Sequence, residues 1–179
     1  MPIMNDKELR QKLLRKYVLL DACVLMEASK QPDAFIELFR LLDETGCIPV
    51  LFPLVEFEFL RNAFLKEEKA KLRSFLETFS IETLSMNPPD KFMERTARIA
   101  SWYASQRLAP DLTDCAIATL LEQYADKLFL VTFNHQHFPK ALFNRFHLMP
   151  TETKTGPMVA GFYEFDTERA EAFAKRFPA

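Results

Sequence analysis

Short apolar segments alternate along the chain with stretches in which apolar residues recur every three or four positions. Residues 17–20, 48–52 and 128–131 are nearly continuous apolar segments, which are typical of strands buried on both faces of a sheet. Residues 33–44 repeat Phe and Leu at helical spacing, and Gly46 follows where such a helix would end. The pattern therefore predicts strands that are separated by helices.

Further segments extend this alternation. Pro53 suits the first turn of a helix, and other helices and strands follow it. The predicted segments are helices at residues 53–64, 66–79, 92–107, 111–124 and 167–176, and strands at residues 81–84 and 159–165. Strands joined through helices usually pair in parallel. The predicted fold is an α/β three-layer sandwich, in which helices flank a central, mostly parallel sheet.

Composition limits the classes of protein to which the chain can belong. Its 179 residues, 49% of them apolar, suit a single domain over residues 1–179. The net charge of −2 excludes a globally basic surface, so any contact with nucleic acid has to be local. The 3 glycines are too few for a glycine-rich phosphate loop.

The sequence has no membrane or secretion signal. The sequence contains no run of roughly 18 apolar residues, the length that a membrane-spanning helix needs. Residues 1–16 are polar and charged and lack the apolar core of a signal peptide. Cys23, Cys47 and Cys115 are an odd number of cysteines without a Cys-x-x-Cys pair. They predict reduced thiols rather than structural zinc, and hence a cytoplasmic protein. The missing apolar run predicts that the protein does not contact a membrane.

Two aspartates fall where parallel sheets bind ligands, beyond the carboxyl ends of the strands. Asp21 directly follows the first strand, although capping of a helix that begins near Cys23 is an equally good reason for it. Asp111 is predicted to cap the next candidate helix, with Asp114 in its first turn. The small residues after Asp114 predict close packing on the sheet, which would turn its carboxylate inward.

Glu58 is the third candidate carboxylate. In the predicted helix it shares one half with most of the apolar residues, including Phe57, Phe64 and Leu65. An ion pair with Arg61, three positions later, is the simpler reason for a carboxylate there. A nearby metal ion or second carboxylate is the other reason.

Polar residues also follow the strand at residues 128–131. Thr132 and Asn134 stand at its end, where an ordinary turn would equally account for them. His135 and His137 form a His-x-His pair, but the sequence offers no third ligand beside it. A metal pair is therefore the less favoured interpretation of these histidines.

Taken in order, these segments resemble the PIN domain, a family of metal-dependent ribonucleases that includes the toxins of many bacterial toxin–antitoxin pairs. The matching segments are residues 18–25 around Asp21, residues 58–61, residues 114–118, and residues 130–134 followed by His137 and Phe138. The resemblance covers about residues 17–138, which leaves 139–179 as a C-terminal strand and helix extension. Asn134 stands where family members often carry Asn or Asp, and His137 stands where they often carry Asp, so the fourth acid is missing or replaced.

The resemblance implies a catalytic site that binds Mg²⁺ or Mn²⁺ through Asp21, Glu58 and Asp114. It implies that Thr132 and Asn134 orient water beside the ion. The substrate would be RNA, and the basic residues that could guide it are Arg61, Lys66 and Lys69. A toxin would also bind an antitoxin protein. The 18 phenylalanines are expected mainly in the core, with some excess left for a surface that binds this partner or forms a homo-oligomer.

Two other functions fit the same residues. A PIN-like domain that has lost catalysis could serve as a scaffold that binds protein or RNA, and the altered fourth acidic position favours this alternative. A receiver-like domain with Asp21 as phosphoacceptor is the other. It would need a late lysine after a strand, and Lys140 is poorly placed for that role.

Overall fold

The computed structural model describes residues 4–78, 82–86 and 88–177. These residues form one mixed sheet of six strands with helices around it. The strands are β1 Tyr17–Leu20, β2 Ile48–Leu51, β3 Glu82–Thr83, β4 Leu128–Thr132, β5 Phe143–Thr153 and β6 Gly156–Phe165. The helices are α1 Asp6–Leu13, α2 Ala22–Lys30, α3 Ile36–Glu44, α4 Pro53–Leu60, α5 Lys66–Glu77, α6 Pro89–Ser105, α7 Leu112–Tyr124 and α8 Thr167–Arg176.

The sheet has the strand order β3-β2-β1-β4-β6-β5. Strands β1, β2, β3 and β4 pair in parallel, whereas β6 runs antiparallel to both β4 and β5. The prediction of an α/β fold with a mostly parallel sheet is confirmed. The antiparallel hairpin of β5 and β6 is an addition to that prediction.

The strand order reverses between β1 and β4. From β1 the chain proceeds outward to β2 and β3, and it then returns to place β4 on the other side of β1. The connections that leave β1 and β4 therefore diverge and open a crevice at the carboxyl ends of these strands. This crevice is the place where a doubly wound sheet usually binds its ligand.

Helices cover the sheet through distinct packing groups. Helix α7 packs on β4 and β6 and pairs with α6, while α2 packs against α4, and α4 against α5. This arrangement is compatible with a three-layer sandwich. All five residues of β4 are buried, as the continuous apolar segment predicts.

Several predicted boundaries are confirmed and others are corrected. Helix α8 and strand β1 have the predicted bounds. The helix predicted at 53–64 ends at Leu60, and the one predicted at 33–44 begins as a short 3₁₀ turn over Pro32–Phe35 before α3. Residues 79 and 81, at the ends of two predicted elements, lie outside the described residues.

The three cysteines are free thiols, as predicted, with Cys115 buried and Cys23 and Cys47 half-buried. In the described parts of the chain, no helix is both long enough and apolar enough to cross a membrane.

Candidate active site

Asp21 lies at the crevice, directly after β1. Its backbone N–H continues the β1–β4 ladder by donating to the carbonyl of Val131 at 3.0 Å. Its side chain occupies the N-cap position of α2 but makes no capping hydrogen bond. The carboxylate instead accepts a hydrogen bond from Thr132 Oγ1 at 2.5 Å, across the strand order reversal. The sequence left capping and a functional role open, and the geometry does not support capping.

Neighbouring donors hold one oxygen of this buried carboxylate. Cys23 Sγ also donates to Asp21 Oδ2, at 3.2 Å. Burial, followed by the negative charge of Asp21, raises the pKa of the Cys23 thiol to about 12, so the thiol stays protonated and remains a donor. Among the described residues, Asp21 Oδ1 has no hydrogen bond. The carboxylate therefore has a fixed orientation and one oxygen without a protein partner.

Thr132 connects Asp21 to the turn that follows β4. While its hydroxyl donates to Asp21, the same oxygen accepts a hydrogen bond from the backbone N–H of Asn134 at 2.8 Å. The Asn134 side chain lies 2.7 Å from His137 through Nδ2 and Nδ1. Thr132 and Asn134 are thus hydrogen-bonded to each other and contact Asp21 and His137, and their proposed action on bound water stays a prediction.

Asp114 approaches the same crevice from α7. As predicted, Asp111 caps this helix, since its Oδ1 accepts a hydrogen bond from the Asp114 backbone N–H at 2.9 Å. The Asp114 residue is only 5% exposed, so the prediction of an inward carboxylate is also confirmed. Its Oδ2 makes a short hydrogen bond with His137 Nδ1.

Charge and burial perturb Asp114 strongly. Burial, which penalises the ionised form, raises the pKa of Asp114 to about 7, and repulsion from Asp111 adds to the increase. His137 acts in the opposite direction, while the charge of Asp21 raises the pKa further. Asp21 and Asp114 therefore lie within range of mutual repulsion, beside a histidine that can share a proton with one of them.

The sequence did not indicate the pairing of His137 with Asp114. The two residues are 23 positions apart, and only the turn after β4 brings them together. Tyr103 on α6 supports this turn, because its hydroxyl donates to the His137 carbonyl at 2.5 Å. Burial raises the pKa of Tyr103 well above its usual value, so its phenol stays a donor. No local sequence signal marks Tyr103, which reads as an ordinary core aromatic of an amphipathic helix.

The two histidines of the His-x-His segment have different partners. His135 Nδ1 lies 2.8 Å from the Tyr163 hydroxyl, and its Nε2 lies 3.0 Å from the Val159 carbonyl. His137 binds Asp114 instead. The structure therefore does not support a paired His-x-His metal site.

Glu58 lies apart from this hydrogen-bonded cluster. It is half-buried on α4, and in the described part of the chain it forms neither a hydrogen bond nor the ion pair with Arg61 that was the simpler alternative. The apolar half that it shares is not the buried one, because Phe57, Phe64 and Leu65 are 64%, 89% and 60% exposed. That part of the prediction is wrong.

The reason lies in how α4 ends and packs. Its buried residues are Val55, Phe59 and Leu60. Because the helix ends at Leu60, Phe64 and Leu65 no longer follow the helical angles from which the inward face was predicted. The pattern of apolar residues is therefore no evidence that Glu58 points toward the crevice.

The predicted RNA-guiding residues are all exposed. Arg61 is the C-cap of α4, and Lys66 and Lys69 lie in the first turns of α5. Their exposure is compatible with contact to RNA, and equally with an ordinary solvated helix surface. Their role stays a prediction.

A metal site of three or more His, Cys, Asp or Glu side chains is not formed within residues 4–78, 82–86 and 88–177. The convergence of Asp21, Glu58 and Asp114 around one ion therefore stays a prediction. What the structure brings together is Asp21 and Asp114, with Thr132, Asn134 and His137 around them.

Comparison with protein-family models, with curated proteins and with solved structures gives no match to this chain. Membership of the PIN domain family therefore stays a prediction from the sequence segments.

Proposed function

We propose that this protein is a Mg²⁺- or Mn²⁺-dependent endoribonuclease that hydrolyses phosphodiester bonds of RNA. The observation that carries the proposal is the meeting of two buried aspartates, Asp21 and Asp114, where the strand order reverses. Two carboxylates in mutual repulsion are costly unless a cation joins them. The toxin–antitoxin role remains a prediction from the resemblance, and a homo-oligomer remains a prediction from the number of phenylalanines.

The donor atoms at the crevice fit a hard cation. Asp21 and Asp114 offer carboxylate oxygens, and Asn134 and Thr132 add neutral oxygens beside them, which suits Mg²⁺ or Mn²⁺. The resemblance implies Glu58 as a third ligand, whereas in the structure Glu58 takes no part in the cluster of Asp21 and Asp114. Such an ion, when bound, supplies an activated water and neutralises charge that develops on the phosphate.

The chain's own residues would orient these groups and handle the proton. Thr132 fixes the rotamer of Asp21 through its hydroxyl, and Asp111 fixes the first turn that carries Asp114. Because His137 Nδ1 faces Asp114, its Nε2 is the nitrogen left to exchange a proton with solvent or substrate. The His137 side chain is 31% exposed, which makes that exchange accessible.

A scaffold without catalysis is the second candidate. It is favoured by the hydrogen bond that already occupies Asp114 Oδ2 and by the absence of a three-ligand metal group in the described residues. In that function His137 would occupy the Asp114 carboxylate in place of an ion. The two candidates differ in whether Mn²⁺ binds at Asp21 and Asp114.

The decisive experiment compares Asp21→Asn and Asp114→Asn with Asp43→Asn. Asp43 is an exposed residue of α3, so its substitution matches the charge change away from the crevice. We expect both crevice variants to lose RNA cleavage by about 100-fold or more, since they remove a ligand of the metal. They should also lose the Mn²⁺-induced rise in melting temperature, while Asp43→Asn keeps both properties.

Cleavage is measured with and without EDTA, and circular dichroism checks that each variant is folded. If wild type binds no Mn²⁺ and cuts no RNA, the scaffold is the better function. If Asp21→Asn and Asp114→Asn cleave like wild type, the nuclease proposal is wrong.

A further inference from the structure

A small cavity lies between the turn after β4 and the β5–β6 hairpin. Its volume is about 150 Å³. Polar side chains of His135, Lys140, Arg145 and Tyr163 line it, together with the rings of Phe138 and Phe143. His135 and Phe138 belong to the end of the PIN-like segment, whereas Lys140, Arg145 and Tyr163 lie beyond residue 138, in the part of the chain that the resemblance does not cover.

The charge around this cavity is positive. Lys140 and Arg145 are both exposed, no carboxylate lines the cavity, and in the described residues neither cation forms an ion pair. The carboxylates at the end of the same hairpin already have partners. Glu164 binds Lys12 at 2.6 Å, and Asp166 binds Arg169 at 3.0 Å. Two cations thus face one cavity without a counter-charge.

One wall of the cavity is held by hydrogen bonds. His135 Nε2 donates to the Val159 carbonyl at 3.0 Å, so in the neutral ring Nδ1 accepts from the Tyr163 hydroxyl at 2.8 Å. Burial raises the pKa of Tyr163, and the neighbouring Arg145 guanidinium partly opposes this effect. Tyr163 is therefore a fixed neutral group beside the arginine.

Gly161 allows this wall to form. A Cβ atom at position 161 would lie 2.6 Å from the Tyr163 ring and 2.8 Å from the His135 ring. Any larger residue would displace the two rings, because both distances are below normal contact. Glycine at position 161 thus leaves room for the rings of His135 and Tyr163 at the edge of the cavity.

The size of the cavity limits its occupant. A volume of 150 Å³ corresponds to roughly five water molecules. Pockets for larger organic ligands usually span about 300–1,000 Å³, so a whole nucleotide does not fit. A single phosphate group does fit, and its charge and its acceptor oxygens complement an arginine and a lysine.

The cavity is also close to the candidate active site. His135 borders the cavity and His137 binds Asp114, and both belong to one short turn, His135–His137. Two residues of chain span at most about 7 Å. One strand of RNA can therefore reach both places.

We propose that this cavity binds one phosphate group of the RNA backbone beside the scissile bond, through Arg145 and Lys140. The inference rests on the proposed nuclease function for its ligand. It assigns substrate positioning to the hairpin that follows the PIN-like segment.

The test measures binding of a short, labelled single-stranded RNA by fluorescence anisotropy in EDTA, where no cleavage occurs. The variants are Arg145→Gln and Lys140→Gln. Their matched controls are Arg176→Gln, at the end of α8, and Lys127→Gln, at the amino end of β4. All four side chains are exposed, so we expect the variants to fold.

Loss of one phosphate contact should lower the slope of log K against log salt by about 0.7, which is about fivefold in affinity at 0.1 M salt. We expect this loss for Arg145→Gln and for Lys140→Gln but for neither control. Titration with inorganic phosphate should shift the backbone NMR signals of His135, Lys140 and Arg145, and leave that of Lys127 unchanged. Cavity variants that bind RNA like their controls would overturn the proposal.

Failure of this inference can be distinguished from failure of the nuclease. If wild type cleaves RNA while the cavity variants bind like the controls, the phosphate site is wrong and the nuclease stands. If the cavity variants lose RNA affinity while wild type never cleaves, the phosphate site stands and the nuclease is wrong.

Discussion

The crevice at β1 and β4 and the helix α4 both carry predicted metal-binding carboxylates, but the tertiary structure treats them differently. Asp21 and Asp114 are 6% and 5% exposed, and each has side-chain hydrogen bonds. Glu58 on α4 is half-buried, and no hydrogen bond to it is found in the described chain. Carboxylates of one predicted site thus lie in two kinds of surroundings.

The difference shows which positional arguments are reliable. Asp21 directly follows a buried strand. A residue in that position lies at the carboxyl ends of the parallel strands, however the rest of the chain folds. The direction of Glu58 depends on which face of α4 is buried. That face is set by neighbouring elements, because α4 is apolar nearly all round. Four experiments test this difference.

The largest expected effect comes from the two faces of α4. Phe59 is 1% exposed and Phe57 is 64% exposed, so they form a matched pair on one helix. We expect Phe59→Ala to lower the free energy of unfolding by about 4 kcal/mol through loss of buried contacts, and Phe57→Ala by less than about 0.5 kcal/mol. Urea unfolding measures both values. Equal losses would mean that the outer face of α4 is covered.

Thr132→Val should cost about 2 kcal/mol of unfolding free energy. Valine keeps the shape but removes the hydroxyl that serves Asp21 and Asn134, and so leaves a buried carboxylate short of a donor. Thr132→Ser is the control, since serine restores the hydroxyl. If the Thr132→Val protein has the same free energy of unfolding as wild type, the Thr132 hydroxyl does not stabilise the crevice.

Affinity for Mn²⁺ should depend on pH through Asp114. Its pKa is raised to about 7, so the metal-free protein keeps a proton there that an unfolded chain has already lost. The free energy of unfolding therefore falls as pH rises from about 4 to 7. Mn²⁺ has to displace this proton, so its binding should weaken about fivefold from pH 7 to pH 6.

Isothermal calorimetry at both pH values tests this dependence. Glu58→Gln should keep it, because Glu58 is outside the cluster that perturbs Asp114. Equal Mn²⁺ affinities at pH 6 and pH 7 would show that the proton at Asp114 is not linked to metal binding.

Glu58→Gln should give the smallest effect, about threefold weaker Mn²⁺ binding, because a half-buried carboxylate that takes no part in the cluster contributes only through its charge, which solvent and salt screen. The same calorimetry measures it beside Asp114→Asn. A loss as large as that of Asp114→Asn would make Glu58 a direct ligand, as the resemblance implies.

Local sequence properties determined much of the architecture. The apolar segment of β4 predicted a buried strand, and a cap at Asp111 predicted the start of α7. The small residues after Asp114 predicted the inward direction of its carboxylate. These signals work because period and capping depend on neighbours along the chain. The position of Asp21 at the carboxyl end of β1 is predicted in the same way, from the apolar segment that directly precedes it.

The remaining features depend on contacts between segments that are far apart in the sequence. The sequence did not predict β5, because an edge strand tolerates the proline and charges that argue against a central strand. Thr132 and Asp21 are 111 positions apart, and His137 and Asp114 are 23 apart. Which partner a polar side chain selects over such separations depends on how the elements pack, and no local pattern encodes that choice.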